Sequence, residues 1–242
     1  MSHNVLLSVL ADIGIDLTAS GEDVRFEQGE TILSADEPLT HLYFLEGGVA
    51  SMLADRPGDR RAEVAVIGRE GVCGSAALLM ADTSGHDIIL QVDDSKALRV
   101  PVSIVRAEMD EHPAMRDLLL RYVHVFFAQL ASNSVANLSE RLDVRLARWL
   151  LMCHDRIDGD VIFITHDFTA IMIGSQRSAV TGALHILEGN RLIAADRGAI
   201  RVLDRAGLEA LAGITYGAAE AQYRETIAPF GKNQRLETAL SR

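Results

Sequence analysis

THDFTAIMIGSQRSAVTGALHILE, residues 165–188, reads as two short helices joined by a tight turn. Thr165 is a helix-starting residue with a carboxylate, Asp167, in the first turn, where the helix dipole favours negative charge. Phe168, Ile171 and Met172 then recur at helical spacing, and Gly174 breaks the helix. A second helix restarts at Ser175 or Gln176, in which Val180, Leu184 and Leu187 form one apolar stripe. Its opposite face is small and polar: Gln176, Arg177, Ser178 and Thr181, with Gly182 and Ala183 adding no bulk. Gly189 ends it. Arg191-Leu-Ile-Ala-Ala, a turn at Asp196-Arg197-Gly198 and Ala199-Ile-Arg-Val-Leu-Asp204 follow as a β-hairpin. Helix, turn, helix and hairpin in this order make a winged helix-turn-helix.

Such a polar helix face fits a groove whose walls carry hydrogen-bond acceptors. The expected DNA contacts are Ser175, Gln176, Arg177, Ser178 and Thr181 on the second helix, with Arg197 and Arg201 at the wing. Paired amphipathic helices with a hairpin also occur as core or protein-contact modules. What favours DNA is the order of the parts, with the polar face opening the second helix and arginines on the wing. The alternative reading is a ligand- or protein-binding module whose winged helix serves protein interaction.

A chain of 242 residues predicts two domains. Its 48% apolar and 24% charged residues are ordinary for a globular protein. No apolar run approaches the roughly 20 residues of a membrane span. The start, MSHNVLLSVLADIGID, lacks a basic n-region, so a cytoplasmic location is expected and no membrane partner. Cys73 and Cys153 stand eighty residues apart, which builds neither a cysteine zinc site nor a four-cysteine iron–sulfur cluster; both read as packing residues. No metal site, no cofactor and no catalytic residues are expected, since neither an activated nucleophile nor a metal-ligand spacing is found. A net charge of −11 argues at first against a nucleic-acid partner, but its distribution does not. Residues 1–138 carry 10 basic against 21 acidic residues, and residues 139–215 carry 9 against 10. The acidic half would be held off the phosphates while the near-neutral half meets them.

Residues 4 to 20 predict a short helix, and from Val24 short apolar runs punctuated by Gly, Pro and Asp predict strands. Leu42–Leu45 and Val49–Leu53 bracket Glu46-Gly47-Gly48 as a hairpin. His86–Val92 is expected to pair with Ala97–Val100 through Asp93-Asp94. Strands this short and evenly spaced predict a small barrel or jelly roll. From Val102 the period turns helical, and after Pro113 it stays so for about 25 residues, apolar on more than one face. Such a helix is expected to pack on its own barrel with one side and on a second copy with the other. Leu119, Tyr122, Phe126, Gln129 and Asn133 are the expected dimer contacts, the two amides setting the register. The fold class is α+β: a β-roll over 1–112, the dimerisation helix and hinge over 113–138, the winged helix-turn-helix over 139–215, and a C-terminal helix and tail over 216–242. Ser139 is expected to begin the helix after the hinge.

This order of parts resembles the Crp/Fnr family of bacterial transcription regulators over nearly the whole chain. Gly29-Glu30 and Leu42-Tyr-Phe-Leu-Glu-Gly-Gly-Val49 look like the family's early β-roll signature, and Arg145-Leu-Ala-Arg-Trp-Leu-Leu151 like its helix after the hinge. Gly174 to Glu188 resembles its turn and recognition helix, with Arg177 at the base-reading arginine. Ile200-Arg-Val-Leu-Asp204 matches the end of the wing. Ser178 stands where the family has a glutamate and Gly182 where it has an arginine, so a different operator half-site is implied. The resemblance implies a homodimer on a pseudo-palindromic double-stranded operator, with RNA polymerase as a further partner.

The family's nucleotide-binding members follow a Gly-Glu run with an Arg-Ser or Arg-Thr step that holds the cyclic phosphate, because an anion needs a fixed cation plus donors. Here Gly68-Arg-Glu-Gly71 inserts an arginine, and Thr83-Ser-Gly-His-Asp87 has none. Cyclic AMP is therefore not the expected effector, and no other effector is named. Arg69, Glu70 and His86 are the remaining candidates for an effector pocket, and Arg69 and His86 read more readily as solvated loop residues.

Overall fold

The computed structural model describes residues 3–56 and 60–232. It opens on α1 (Val5–Asp12), started by Asn4, whose Oδ1 accepts from the Leu7 amide at 3.2 Å. The Asn4 Nδ2 donates to the carbonyls of Leu45 and Gly71 at 2.9 and 2.8 Å, fastening α1 across two strands' ends. The strands are β1 (Glu22–Phe26), β2 (Thr31–Leu33), β3 (His41–Leu45), β4 (Val49–Arg56), β5 (Arg60–Ile67), β6 (Asp87–Val92) and β7 (Ser95–Pro101). They form two antiparallel sheets, ordered β1-β7-β3 and β2-β6-β4-β5.

Both expected hairpins are corrected by this topology. β3 pairs with β7, whereas β4 pairs with β5 and β6, so Glu46-Gly47-Gly48 and Asp93-Asp94 each carry the chain from one sheet to the other. The two crossings are strapped together: the Glu46 amide donates to the Lys96 carbonyl at 2.9 Å, and the Ser95 hydroxyl to the Gly47 carbonyl at 2.6 Å. Gly48 takes φ +64, where a Cβ would meet the Val92 carbonyl at 2.8 Å. The physical reason for crossing is burial. Leu42, Phe44 and Val100 from one sheet and Ala50, Leu90 and Ile67 from the other are all fully buried in one core, and only separate sheets facing each other can cover both sets.

After β7 come α2 (Val102–Glu111) and α3 (Pro113–Ser139). Pro113 disfavours helix at His112 and presets the first turn of α3, so the break falls between them. Ser139 ends α3 rather than starting the next helix, its hydroxyl donating back to the Val135 carbonyl at 2.8 Å.

The residues expected to face a second copy are buried inside the protomer instead. Leu119 is in the β-roll core, and Tyr122 stacks on Phe126 with ring centroids 6.0 Å apart. The Tyr122 hydroxyl accepts from the Val72 amide at 3.2 Å and fills the space beside Gly71. Gln129 takes both backbone groups of Val66, accepting from its amide at 2.8 Å and donating to its carbonyl at 3.2 Å. Asn133 donates to the Val64 carbonyl at 2.7 Å. β5 is the edge of its sheet, so its outward N–H and C=O groups need partners, and these amides supply them. The large apolar side chains that α3 leaves exposed are Leu120, Phe127, Val135 and Leu138, at 38, 55, 60 and 89%.

The chain turns at Glu140 and Arg141, both extended, into α4 (Leu142–His154). β8 (Val161–Phe163), α5 (His166–Met172), α6 (Arg177–Gly189), β9 (Ile193–Asp196), β10 (Ala199–Val202), α7 (Arg205–Ala212) and α8 (Ala218–Thr226) complete it. β8 joins the hairpin as a third strand, in the order β8-β10-β9. A second core gathers Trp149, Leu150, Ile162, Met172, Val180, Leu184, Ile200 and Leu208, and it includes Val49, Leu53, Val66 and Val92 of the β-roll. The winged unit therefore sits on the outer face of the four-stranded sheet. α8 returns to pack on α3: Tyr223 donates to the Glu70 carbonyl at 2.6 Å and lies against Phe230. Residues 233–242 of the expected tail lie outside the described residues, as does the side chain of Asp167.

Candidate nucleic-acid interface

Thr165 starts α5 as its spacing predicts, its hydroxyl accepting from the Phe168 amide at 3.3 Å. Gly174 takes φ +59 and lets the Ser175 amide close onto the Ala170 carbonyl at 2.9 Å. Gln176 is extended, so α6 begins at Arg177, and no side chain caps its first turn. The amide groups there point out along the helix axis, a disposition suited to an anion. α6 buries Val180, Ala183, Leu184 and Leu187 against the second core, which fixes what its other side presents. Gln176, Arg177, Ser178, Gly182 and His185 are exposed, and Ser175 and Thr181 are half-buried. The Thr181 hydroxyl donates to the Arg177 carbonyl at 3.1 Å. A Cβ at Gly182 would meet nothing within 4 Å, so the surface is open there.

The wing is placed by its own bonds. Glu188, at the end of α6, accepts from the Ala195 amide of β9 at 2.9 Å. Gly198 makes the turn with φ +80, and its carbonyl accepts from the Ile164 amide at 3.0 Å. Arg197 and Arg201 are exposed, Arg201 lying opposite Ala194 and Val161 in the sheet. Behind the sheet, His154 approaches Asp160 through Nε2 at 2.9 Å and Arg205 through Nδ1 at 3.0 Å. A guanidinium only donates, so Nδ1 accepts and the ring's proton is on Nε2. Burial pulls the His154 pKa down, consistent with that neutral ring. Asp204 caps α7 by accepting from the Gly207 amide at 2.9 Å. The expected DNA contacts thus fall on two adjoining pieces, the start of α6 and the wing. Sequence reading missed His185, one turn beyond Thr181 on the exposed side, and Arg191, exposed in the turn into β9 with φ +58. The signal for His185 was its spacing from Ser178 and Thr181; a left-handed arginine has no such signal.

The proposed effector residues are not brought into one pocket. Arg69 donates to the Asp158 carboxylate at 2.9 Å and to the Arg156 carbonyl at 3.2 Å. Glu70 is buried and accepts from the Arg156 guanidinium at 2.8 Å, while that guanidinium also lies 5.1 Å over the Phe230 ring. Both residues tie the β-roll to the segment after α4. His86 stands before β6, whereas Gly68 follows the end of β5 that lies, across β4, at the Val92 end of β6. The six residues of β6 therefore separate them by roughly 20 Å at the rise of a strand. Cys73 and Cys153 are buried free thiols, both pushed up by burial.

A cyclic nucleotide-binding domain model matches residues 23–112, and a Crp-like helix-turn-helix domain model matches residues 144–211. The global nitrogen regulator of Synechococcus elongatus is 25% identical over 216 residues, covering 86% of this chain and 96% of that regulator. A CRP-family transcriptional regulator from Thermus thermophilus superposes with a TM-score of 0.66 at 23% identity, over 78% of this chain and 96% of its own. FixK2 from Bradyrhizobium japonicum does so with 0.66 at 16% identity, over 80 and 98%. No helix among the described residues is long and apolar enough to cross a membrane. With a cyclic nucleotide-binding fold joined by a long helix to a Crp-like helix-turn-helix, the chain belongs to the Crp/Fnr family of DNA-binding transcription regulators.

Proposed function

We propose that the protein is a homodimeric regulator, without catalytic activity of its own, that reads a two-fold operator in the cytoplasm and works together with RNA polymerase. The β-roll to residue 112 is its sensory unit, 113–138 its dimer helix and hinge, and 139–215 its DNA-reading unit. Ser175, Gln176, Arg177, Ser178 and Thr181 enter the major groove, with His185 beside them, while Arg197 and Arg201 meet the flanking backbone. The observation that carries this reading is the exposed polar side of α6 beside an arginine-bearing wing. The dimer seam is supported by the spacing of exposed residues on α3. Leu120, His124, Phe127, Ala131, Ser134 and Leu138 alternate at four and three residues, the coiled-coil period.

Cyclic AMP is not the effector in this reading. Thr83 to Asp87 has no arginine, and Arg69 is engaged with Asp158 and the Arg156 carbonyl. One experiment tests function and effector together: binding of the full chain to its promoter DNA at rising salt, with and without millimolar cyclic AMP. The affinity should fall by a factor on the order of 10³ or more between 50 and 200 mM salt, as phosphate neutralisation requires, and be unchanged by the nucleotide. Salt-insensitive binding, or none, would return the winged helix to a protein-contact role. A nucleotide-dependent affinity would show that another cation holds the cyclic phosphate.

A further inference from the structure

Glu63 is a carboxylic residue with 5% exposure, and it lies in β5 where the outer face of the sheet meets the winged unit. Three other elements converge on it. From α4, the Trp149 indole donates to Oε1 at 3.0 Å. From β4, the Ser51 hydroxyl lies 2.5 Å from Oε2, and the same hydroxyl lies 3.1 Å from the sulfur of Met172 at the end of α5. The charges that bear on it are Arg148 and Arg156, and both spend their donors elsewhere. Arg148 bonds the Thr215 carbonyl at 2.6 Å, Asn133 and the Met152 sulfur. Arg156 bonds Glu70 and the Met152 carbonyl. Arg145 borders the same small cavity and bonds Asn137 and the Ile173 carbonyl. Cys153, the remaining titratable neighbour, is held as a thiol by burial.

The hydrogen bonds themselves distinguish the two charge states of Glu63. Ser51 has one proton and cannot donate to both Oε2 and the Met172 sulfur. If Glu63 is protonated, its own O–H donates to Ser51, the Ser51 proton goes to the sulfur, and the chain from β5 to α5 is complete. If Glu63 is ionised, Ser51 must turn its proton to Oε2, the sulfur contact loses its donor, and a carboxylate stays buried with two donors and no hydrogen-bonded cation among the described residues.

We propose that Glu63 is a proton-linked latch: as a neutral acid it holds the DNA-reading unit on the β-roll, and loss of its proton loosens that unit. The position of α6 thereby depends on pH. Burial supports this, driving the Glu63 carboxyl from its ordinary 4.5 up to about 8. The sign follows from linkage. Undocked and hydrated, Glu63 ionises near its ordinary value, so docking takes up a proton between that value and about 8. The docked arrangement is strongest at the acid end of that window, weakens by up to about tenfold per pH unit across it, and changes no further above it. The latch lies within one protomer and holds whether or not α6 reads DNA.

Trp149 is the only tryptophan of the chain, and its indole touches Glu63, so its fluorescence reads the latch without DNA. The full-length protein titrated from about pH 5.5 to 9.5 should show one transition with a midpoint near 8. Glu63→Gln keeps a neutral group that accepts from Trp149 and donates to Ser51, and it should hold the acid spectrum throughout. Hydrogen exchange, corrected for intrinsic rates, should show α4 and α5 losing protection as the pH rises toward about 8, and little further loss above it, in the wild type alone. A flat wild-type titration, the same transition in Glu63→Gln, or a spectral change without loss of protection would each overturn the proposal. Should the glutamine variant not fold, Ser51→Ala leaves Glu63 in place and removes its bond in both charge states, the charge-assisted donor to the anion being the stronger loss. It should raise the midpoint by about half a pH unit or more, and an unmoved midpoint overturns the latch.

Discussion

At the scale of single residues, base discrimination in the proposed reading rests on Arg177. Gly182 brings no side chain to an open surface, which leaves Arg177 as the long donor at the start of α6. A planar guanidinium reads guanine through paired bonds to O6 and N7, whereas a phosphate clamp is blind to sequence. Arg177→Ala should therefore cost about 1 to 3 kcal/mol on the operator, relax preference at one base position and leave binding to random DNA nearly unchanged. Equal weakening on both would make it a positioning residue, and no change on either would remove α6 from the groove. The exposed place of Arg177 at the start of α6 was legible in the sequence because the turn glycine and the apolar stripe fix the helix phase. Glu63 was not, because alternation along β5 marks it only as an outward residue, and no local pattern says that Trp149 and Ser51 will enclose it.

At the scale of elements, α3 shows how a period can be read correctly and its partner wrongly. The sequence tells that the helix is apolar on more than one side, but not which side meets which neighbour. The β5 edge decides it: its unpaired backbone draws Gln129 and Asn133 inward and carries Phe126 with them. Phe127, 55% exposed, is left on the other side. Phe127→Asp should accordingly give a folded monomer by sizing and circular dichroism. Phe126→Ala should cost about 3 to 5 kcal/mol of stability through the cavity it leaves. A Phe127→Asp protein that still elutes as a dimer places the seam elsewhere. The strand pairing failed for a related reason. Alternation gives each strand its buried face, yet it does not say whether the next strand lies beside it or across the core, and the crossings at Gly48 and Asp93 chose the second.

At the scale of the whole molecule, the two units share a core rather than meeting at a flexible joint. Val49, Leu53, Val66 and Val92 of the β-roll pack with Trp149 and Leu150, and Arg156 pairs with Glu70 across the same boundary. α8 and Phe230 close it from the far side. The order of parts was legible from end to end because each has its own period. Their mutual packing was not, since it rests on polar ties between residues more than 80 apart in sequence. With the DNA-reading unit docked, that packing sets α6 at one attitude to α3, so a dimer about α3 would present two copies of α6 with two-fold symmetry. Selection of duplexes from a random pool by the full-length protein tests this most directly. The account predicts enriched sites with two inverted half-sites whose centres lie about one helical turn, roughly 34 Å, apart. Enrichment of a single unrepeated half-site, or of no sequence at all, would contradict it.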